Sequence, residues 1–381
     1  MINKCISMIK TDRFSFFLII MILIASACAG QKNIAKPIKK PSSPSRPAAQ
    51  EPKKPLPVHD IRALSYTVEG ISFSMKLAPG GTFPTGTDDA GRMTVKNPFW
   101  LAESEVTYEL WYKVAVWARK NGYVFNDQGR EGNMGIDGAA PSGTKGMPVT
   151  MMTWRDAVVW CNALTEYYNS LNGSEPDLDF VYYTDAAYTS PLKKSVKGAV
   201  NMKAGGQDNP YIKAAARGNM SMDKCTAKGF RLPTIAEWEC AARWRGTPTG
   251  ETIFSGNQYW TKGNTFSGSD RPSSDLKASD AVAWYTMNSS ISNPGTDTGK
   301  RGTHAVKRKK PNTLGLYDMS GNVYEYCFDW HPKAVGNLRI GRGGAYNVEA
   351  AYMGCGFIFL MNPWASSEDY GFRIARSEIF Q

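Results

Sequence analysis

The last seventy or so residues constrain the fold of this chain most strongly, because short apolar runs alternate there with glycine- and asparagine-rich turns. They read PNTLGLYDMSGNVYEYCFDW over 311–330, GRGGAYN over 341–347 and YGFRIARS over 370–377. Glycine and asparagine tolerate the backbone conformations of tight turns, and the runs between them are too short for long helices. The pattern predicts short strands joined by irregular turns.

Upstream, strands and helices are mixed without a regular βαβ repeat. Residues 65–77 predict two strands that turn at Gly70, and the apolar run 99–101 predicts another. Three helices are predicted from apolar residues at three- and four-residue spacing and from capping residues. They begin at Thr107, Thr153 and Thr234.

Two long polar, turn-rich stretches separate these elements. Residues 169–227 predict an insertion packed on the domain, with a short strand at 180–183, and residues 246–310 predict mostly irregular loop. No internal repeat is visible. The fold class that follows is α+β with much irregular loop, in one domain over 62–381.

The first 27 residues have the features of an export signal. A basic head precedes the apolar core 14–27, and the small residues Ala25, Ser26 and Ala27 stand directly before Cys28. This arrangement indicates a lipoprotein signal peptide whose cleavage leaves Cys28 for acylation, which would attach the protein to a membrane. The alternative is an ordinary signal peptide cleaved nearby, with Cys28 incidental.

Residues 28–61 form a linker rich in proline and lysine. The net charge of +11 is concentrated at this end, since 1–27 carry +2 and 28–58 carry +6, which leaves +3 for the rest. The basic balance therefore does not indicate nucleic-acid binding. A basic spacer beside a lipid anchor favours an anionic membrane surface, and a solvated spacer with no partner is the alternative.

Seven cysteines are present, of which Cys5 and Cys28 belong to the N-terminal segment. The chain has no CxxC pair and only three histidines, so a zinc cluster is not supported. Export permits disulfides, but an odd number of remaining cysteines leaves at least one thiol free. The sequence leaves the pairing open.

The order of several short blocks resembles the formylglycine-generating-enzyme, or sulfatase-modifying-factor, family. The matching blocks are GGTF (80–83), EVT (105–107), RLPT (231–234), EWE (237–239), GLYD (315–318), GNVYE (321–325), RGG (342–344) and GFR (371–373). The resemblance covers nearly all of the domain. It implies that family's version of the C-type lectin fold.

The two copper-binding cysteines of the family are missing. Aligning GGAYNVEAAYM (343–353) with the family's GGSYMCHRSYC places Val348 and Met353 at the cysteine positions. Neither side chain supplies a thiolate, and Cys355 lies two residues later. We therefore expect no copper and no oxidation of a sulfatase cysteine to formylglycine, and we predict a protein without catalysis.

The resemblance also implies a structural calcium ion. The family's ligands would correspond to the side chains of Asp318 and Glu325 and to the backbone carbonyls of Gly321 and Val323. Hard oxygen ligands in a tight turn suit calcium. The alternative is a glycine turn whose carboxylates face water or cap backbone donors.

In the enzymes of the family, the stretch after RGG lines the substrate cleft, and here it is rich in aromatic residues, which dominate binding hot spots. We predict that Arg342, Gly343, Gly344, Gly371, Phe372 and Arg373 are scaffold and that Ile358 belongs to the core. The predicted ligand contacts are Val348, Glu349, Ala351, Tyr352, Phe357, Phe359, Leu360, Met361 and Trp364. The alternative is that most of the segment's aromatics are core strand residues.

The same segment, 342–373, resembles the variable region of proteins diversified by retroelements, which include lipoproteins of treponemes. The resemblance implies a fixed lectin-type scaffold with a varied binding segment. The resulting hypothesis is a lipoprotein on the outer-membrane cell surface that binds an unidentified ligand, expected to be a protein, and no nucleic acid. The alternatives are a structural envelope lipoprotein in a multiprotein complex and a carbohydrate-binding lectin.

Overall fold

A computed structural model of the chain describes residues 62–143, 146–172, 178–291 and 299–378. The predicted signal peptide, Cys28 and the linker 28–61 lie outside the described residues. The described residues all belong to one compact unit, Lys53–Gln381. Among the described helices, none is long and apolar enough to cross a membrane.

The described residues form seventeen short strands and four α-helices. The strands are β1 (Ala63–Val68), β2 (Ile71–Ala78), β3 (Gly81–Thr85), β4 (Gly91–Val95), β5 (Phe99–Ala102), β6 (Arg130–Glu131), β7 (Val149–Thr150), β8 (Tyr182–Tyr183), β9 (Tyr211–Ile212), β10 (Trp244–Arg245), β11 (Thr252–Ser255), β12 (Gln258–Thr261), β13 (Tyr324–Trp330), β14 (Arg339–Arg342), β15 (Phe359–Met361), β16 (Tyr370–Gly371) and β17 (Ala375–Ser377). The helices are α1 (Tyr108–Lys120), α2 (Trp154–Asn172), α3 (Ile235–Arg243) and α4 (Leu276–Val282). The mixture confirms the α+β prediction.

Two four-stranded sheets organise the domain. The first has the strand order β1-β2-β5-β17, so the last strand pairs antiparallel with β5 and joins the two ends of the domain. The second has the order β15-β14-β13-β16, in which β13 pairs antiparallel with β14 and parallel with β16. This second sheet is built from the C-terminal blocks, and β15 and β16 lie within the segment 342–373.

Local capping chemistry explains where the helices predicted at Thr107 and Thr234 begin. The Thr107 hydroxyl accepts a hydrogen bond from the Leu110 amide, and α1 starts at the next residue. Thr234 and Glu237 form a reciprocal capping box at α3, with the Glu237 carboxylate accepting from the Thr234 amide at 2.8 Å. These side chains satisfy amide donors that a helix end leaves unpaired.

The main hydrophobic core lies where α1 and α2 pack against each other and α2 packs against β1. Trp111 of α1 stacks on Trp160 of α2 with ring centroids 5.7 Å apart, and Phe372 meets both rings edge-on. Trp160 and Cys161 are fully buried, which confirms that the inner face of α2 is core.

The segment 246–310 contains more regular structure than the sequence predicts. It folds a hairpin from β11 and β12 and the short helix α4, which is capped by the Asp275 side chain. The hairpin turns at Gly256 and Asn257, both with positive φ. Its strands are short and its polar composition resembles loop, so the alternation was too weak to indicate strands.

Candidate functional site

The segment 342–373 is anchored at each end by a buried arginine. Arg342 closes β14 and donates to the Glu239 carboxylate at 2.6 Å and to the Phe357 carbonyl at 3.1 Å. Arg373 pairs with Glu325 of β13, and all four of these charged side chains are almost completely buried. The structure therefore fixes both ends of the segment to the second sheet.

Between these anchors the predicted contact residues differ in exposure. Tyr352 (41% exposed), Leu360 (41%) and Trp364 (39%) face outward. Glu349 and Ala351 are also exposed, whereas Val348, Phe357 and Phe359 are half-buried. The segment thus brings most of the predicted contact residues to the surface.

Two residues of the segment are placed opposite to the prediction. Met361, predicted to contact ligand, is fully buried, and Ile358, predicted to be core, is 37% exposed. Strand β15 explains both, because successive side chains along a strand point to opposite faces. Phe359 and Met361 turn inward, with the Met361 side chain beside Gly341 of the paired strand, while Ile358 and Leu360 turn outward.

Aromatic contacts divide the segment between scaffold and surface. Phe359 stacks on Tyr324 of β13 with ring centroids 4.3 Å apart, so one face of its ring packs against the sheet. Tyr352 instead meets Phe357 edge-on at 5.3 Å, within the segment itself. We call the exposed side chains Tyr352, Ile358, Leu360 and Trp364, together with the half-buried Phe357, the apolar face.

A neighbouring loop adds exposed apolar surface that sequence reasoning missed. The Thr286 amide donates to the Val348 carbonyl at 3.1 Å, and the following residue, Met287, is 67% exposed. The Ser289 hydroxyl also donates to the Tyr346 carbonyl at 2.6 Å. A lone methionine in a polar loop gives no sequence signal of this position.

The positions that correspond to the family's copper-binding cysteines are closed by packing. Met353 is fully buried beside Gly344, and Val348 is half-buried between two core clusters. Cys355 is also fully buried, and this burial raises the pKa of its thiol to about 12. At neutral pH the sulfur is therefore a protonated thiol, the form that is neither nucleophile nor metal ligand.

The calcium residues implied by the resemblance lie together in a buried turn. Asp318 and Asn322 have positive φ, and no described donor is hydrogen-bonded to the carbonyl of Gly321 or Val323. One oxygen of Asp318 accepts from the Lys307 amide at 2.7 Å, and the other is buried without a hydrogen-bond partner. An orphaned buried oxygen in the same turn as two carbonyls without a hydrogen-bond donor fits a hard cation.

Glu325 fits the implied calcium site less well. Its Oε2 accepts from Arg373 Nε and from the Trp238 indole, each at 2.6 Å, and its Oε1 accepts from Arg373 Nη2 at 2.5 Å. A carboxylate has about four lone-pair sites, so most of this one is occupied by protein donors. No group of three or more His, Cys, Asp or Glu side chains converges as a metal cluster in the described ranges.

Burial shapes the titration of this acidic turn. It raises the pKa of Asp318 to about 6, although the Lys307 amide and Arg373 act in the opposite direction. Burial also raises the pKa of Glu105 well above its usual range, and the nearby charges of Asp318 and Glu325 raise it further. Glu105 comes from the EVT block, far away in sequence.

A separate cleft of about 640 Å³ lies outside the segment 342–373. It is bordered by Trp330, Cys225 and the start of α3. Its most buried acidic side chains are paired within the protein, Glu237 with Arg231 and Asp208 with Arg155. The cleft shares no residue with the apolar face.

Residues 71–378 match the family described as the sulfatase-modifying factor enzyme 1-like domain. The chain belongs to this family. A relative named chaperone protein LppX, from Paenibacillus barcinonensis, is 30% identical over 326 residues, which cover 81% of this chain and 91% of that protein. The formylglycine-generating enzyme of Mus musculus is 30% identical over 177 residues, or 42% of this chain and 43% of the enzyme.

Two solved structures share the fold of this chain. Treponema denticola variable protein 1 aligns with a TM-score of 0.57 and 26% identity over 83% of this chain and 99% of that one. A crystal structure of CarF aligns with a TM-score of 0.54 and 29% identity over 80% and 97% of the two chains. These matches confirm the expected C-type lectin fold of the formylglycine-generating-enzyme subtype.

Proposed function

We propose that this protein is a surface lipoprotein whose lectin-type domain binds a partner protein through the apolar face, without catalysis. The observation that carries the proposal is the outward placement of Tyr352, Ile358, Leu360 and Trp364 on a segment anchored by two buried arginines. Large apolar side chains on a rigid support lose little conformational freedom on binding and form typical hot spots.

The absence of catalysis is supported by the residues at and next to the positions of the family's copper-binding cysteines. Val348 carries no donor atom, Met353 is buried, and the Cys355 thiol is protonated at neutral pH. The test is to incubate the protein with copper and a sulfatase-derived cysteine peptide. We expect the peptide thiol to persist, and its conversion to an aldehyde would overturn this part of the proposal.

The proposal includes diversification of the segment 342–373 by a retroelement. A diversified binding protein must vary its outward side chains while its scaffold stays fixed. The expected genomic arrangement is a reverse-transcriptase gene nearby and a near-copy of the codons for 342–373 that differs at adenines. Sequencing many clones should then show changes at the apolar face, with Arg342, Met361 and Arg373 constant.

Uniform variation across buried and exposed positions, or a segment identical in every clone, would contradict diversification. The similarity to Treponema denticola variable protein 1 over almost all of that chain supports the proposed diversification. It is separate from the binding proposal, because an invariant apolar face can also bind a partner.

The proposed anchor is an acyl group on Cys28, and the proposed location is the outer-membrane cell surface. The test follows incorporation of a labelled fatty acid into the wild-type chain and a Cys28→Ser variant. We expect label in the wild type only, and digestion of the domain by protease added to intact cells. Label retained by the variant would contradict acylation at Cys28, and a domain protected in intact cells would contradict the location.

A second candidate is a structural envelope lipoprotein that binds one fixed partner. The relative named as a chaperone, which this chain matches over 91% of its length, favours this class, because a chaperone acts through contact with other proteins. A single stoichiometric envelope partner, recovered from cells with different segment sequences, would favour this candidate over the variable binding protein.

We also propose a structural calcium ion at the turn of Asp318 and no copper. The support for calcium is the orphaned oxygen of Asp318 beside the open carbonyls of Gly321 and Val323. Such an ion would hold the turn between α3 and the second sheet, and it would take no part in chemistry.

A further inference from the structure

Three carboxylates are buried together around one guanidinium. Glu105 and Asp318 are each 2% exposed, and Glu325 and Arg373 are fully buried. Arg373 is hydrogen-bonded to both oxygens of Glu325, so its charge is committed to that partner. Two further carboxylates share the same buried region with no cation bonded to either side chain among the described residues.

Each of these two carboxylates has one satisfied oxygen and one orphaned oxygen. Glu105 Oε1 accepts from the Asn322 side-chain amide at 3.2 Å, and Asp318 Oδ2 accepts from the Lys307 amide at 2.7 Å. Glu105 Oε2 and Asp318 Oδ1 are buried and have no hydrogen-bond partner. A buried carboxylate oxygen without a partner is strongly unfavourable unless a proton or a cation neutralises it, so two such oxygens in the same buried region fit a cation site.

We propose that Glu105 is a ligand of the structural divalent cation, and that it joins Asp318 and the carbonyls of Gly321 and Val323 in place of Glu325. This inference rests on the calcium site proposed above and adds a residue that the family resemblance does not assign. Two anionic and two neutral oxygens form a hard donor set. Such a set suits calcium better than softer metal ions. Glu325 then orients Arg373 and Trp238 around the site.

The surroundings of Glu105 also give a path for an ion. A cavity of about 220 Å³ is lined by Glu105, Ser104, Thr107, Val306 and Lys307. Oxygen-bearing side chains line part of this cavity, so a partly hydrated ion has polar partners on its way in. Of the four proposed ligands, Glu105 is the one that lines this cavity, and its orphaned Oε2 is buried.

The test is calcium titration of the mature full-length chain, followed by calorimetry and by thermal unfolding in calcium or in a chelator. Glu105→Gln keeps the shape and removes the charge. We expect calcium affinity to fall about tenfold or more, the scale typical for altered metal surroundings. In chelator the variant should unfold at the same temperature as the wild type or higher, because an uncompensated buried charge is gone.

The matched control is Glu103→Gln, since Glu103 lies two residues away and pairs with Lys76 and Lys307 near the surface. It should leave calcium affinity unchanged. Terbium supplies a second readout, because the Trp238 indole beside Glu325 can sensitise its luminescence. The terbium signal should weaken in Glu105→Gln and in Asp318→Asn but not in Glu103→Gln.

Two results would overturn the inference. If the wild type binds calcium and Glu105→Gln binds it equally well, Glu105 is not a ligand, although the calcium site stands. If the wild type binds no calcium, both fall, while the proposed binding function of the apolar face is untouched. A Glu105→Gln variant that is destabilised equally in calcium and in chelator would show a merely structural role.

Discussion

Arg373 and Glu325 form a fully buried bidentate ion pair, with Nε to Oε2 at 2.6 Å and Nη2 to Oε1 at 2.5 Å. Arg373 also donates to the carbonyls of Ala102 and Tyr317. One side chain therefore links the first sheet, the acidic turn and the end of the segment 342–373. Its position explains how a surface segment is held on a rigid base.

Breaking this pair should destabilise the domain strongly. Arg373→Met leaves Glu325 charged and buried, so we expect a loss of about 3–5 kcal/mol in unfolding free energy. Urea denaturation in a chelator measures it. The matched control is Lys113→Met, which removes the exposed pair with Glu69, whose side chains are 47% and 46% exposed, and should change stability by less than about 1 kcal/mol. Equal losses for both variants would contradict the buried pair.

Truncating two neighbouring residues of β15 should change the unfolding free energy by very different amounts. Met361→Ala removes a fully buried side chain and should lower the unfolding free energy by about 2–5 kcal/mol. Leu360→Ala removes an exposed side chain and should change it by no more than about 0.5 kcal/mol. Chemical denaturation of both variants checks the inward and outward alternation. A large loss for Leu360→Ala would contradict its place on the apolar face.

The contribution of Glu237 to stability should disappear in acid. Burial alone would raise the pKa of Glu237, but Arg231 and hydrogen bonds from Thr234 lower it below its usual value. A carboxyl with a depressed pKa in the fold stabilises fully above its unfolded pKa of about 4.3 and loses this contribution as pH falls through the folded value. The wild type should therefore exceed Glu237→Gln in stability near neutral pH.

This difference should shrink progressively below about pH 4, where the carboxyl takes up a proton. Thermal unfolding of the wild type and Glu237→Gln across pH measures the difference in stability. The effects of the acidic groups that both proteins share cancel in this difference. A difference that is constant with pH would contradict the ion pair between Glu237 and Arg231.

Three buried cysteines that belong to one core cluster, Cys240, Cys327 and Cys355, should resist alkylation in the folded protein. Cys240, Cys327 and Cys355 are fully buried, and burial raises the pKa of each thiol. We expect iodoacetamide at pH 8 to modify none of them until denaturant is added, as read by peptide mass spectrometry. The half-buried Cys225 is the internal comparison. Rapid modification of Cys355 in the native state would contradict the burial of its thiol.

Much of the fold could be predicted because its signals are local. The caps at Thr107 and Thr234 start helices where the sequence places them, and the turn at Gly70 separates β1 from β2. The hairpin of β11 and β12 was missed because its strands are only four residues long and lie in a polar stretch. Short elements depend on their packing partners more than on their own pattern.

The candidate site could be predicted only in outline. The sequence shows a stretch between two glycine-rich blocks and predicts Tyr352 and Trp364 as contacts, and the structure places both side chains at the surface. The sequence predicts Met361 at the surface and Ile358 in the core, and the structure has the reverse. A strand of three residues is too short to show an alternation with a period of two. Which face of such a strand is buried depends on the sheet it joins.

The sequence alone determined the family, the order of its scaffold blocks and the replacement of the copper-binding cysteines by Val348 and Met353. Only the tertiary structure brought Glu105 beside Asp318 and committed Glu325 to Arg373. The physical reason is that residue types and local spacing are written in the chain, whereas the partner of a buried charge is chosen when distant segments pack. Burial then makes each unpartnered oxygen unfavourable, and no local sequence pattern shows which oxygens these are.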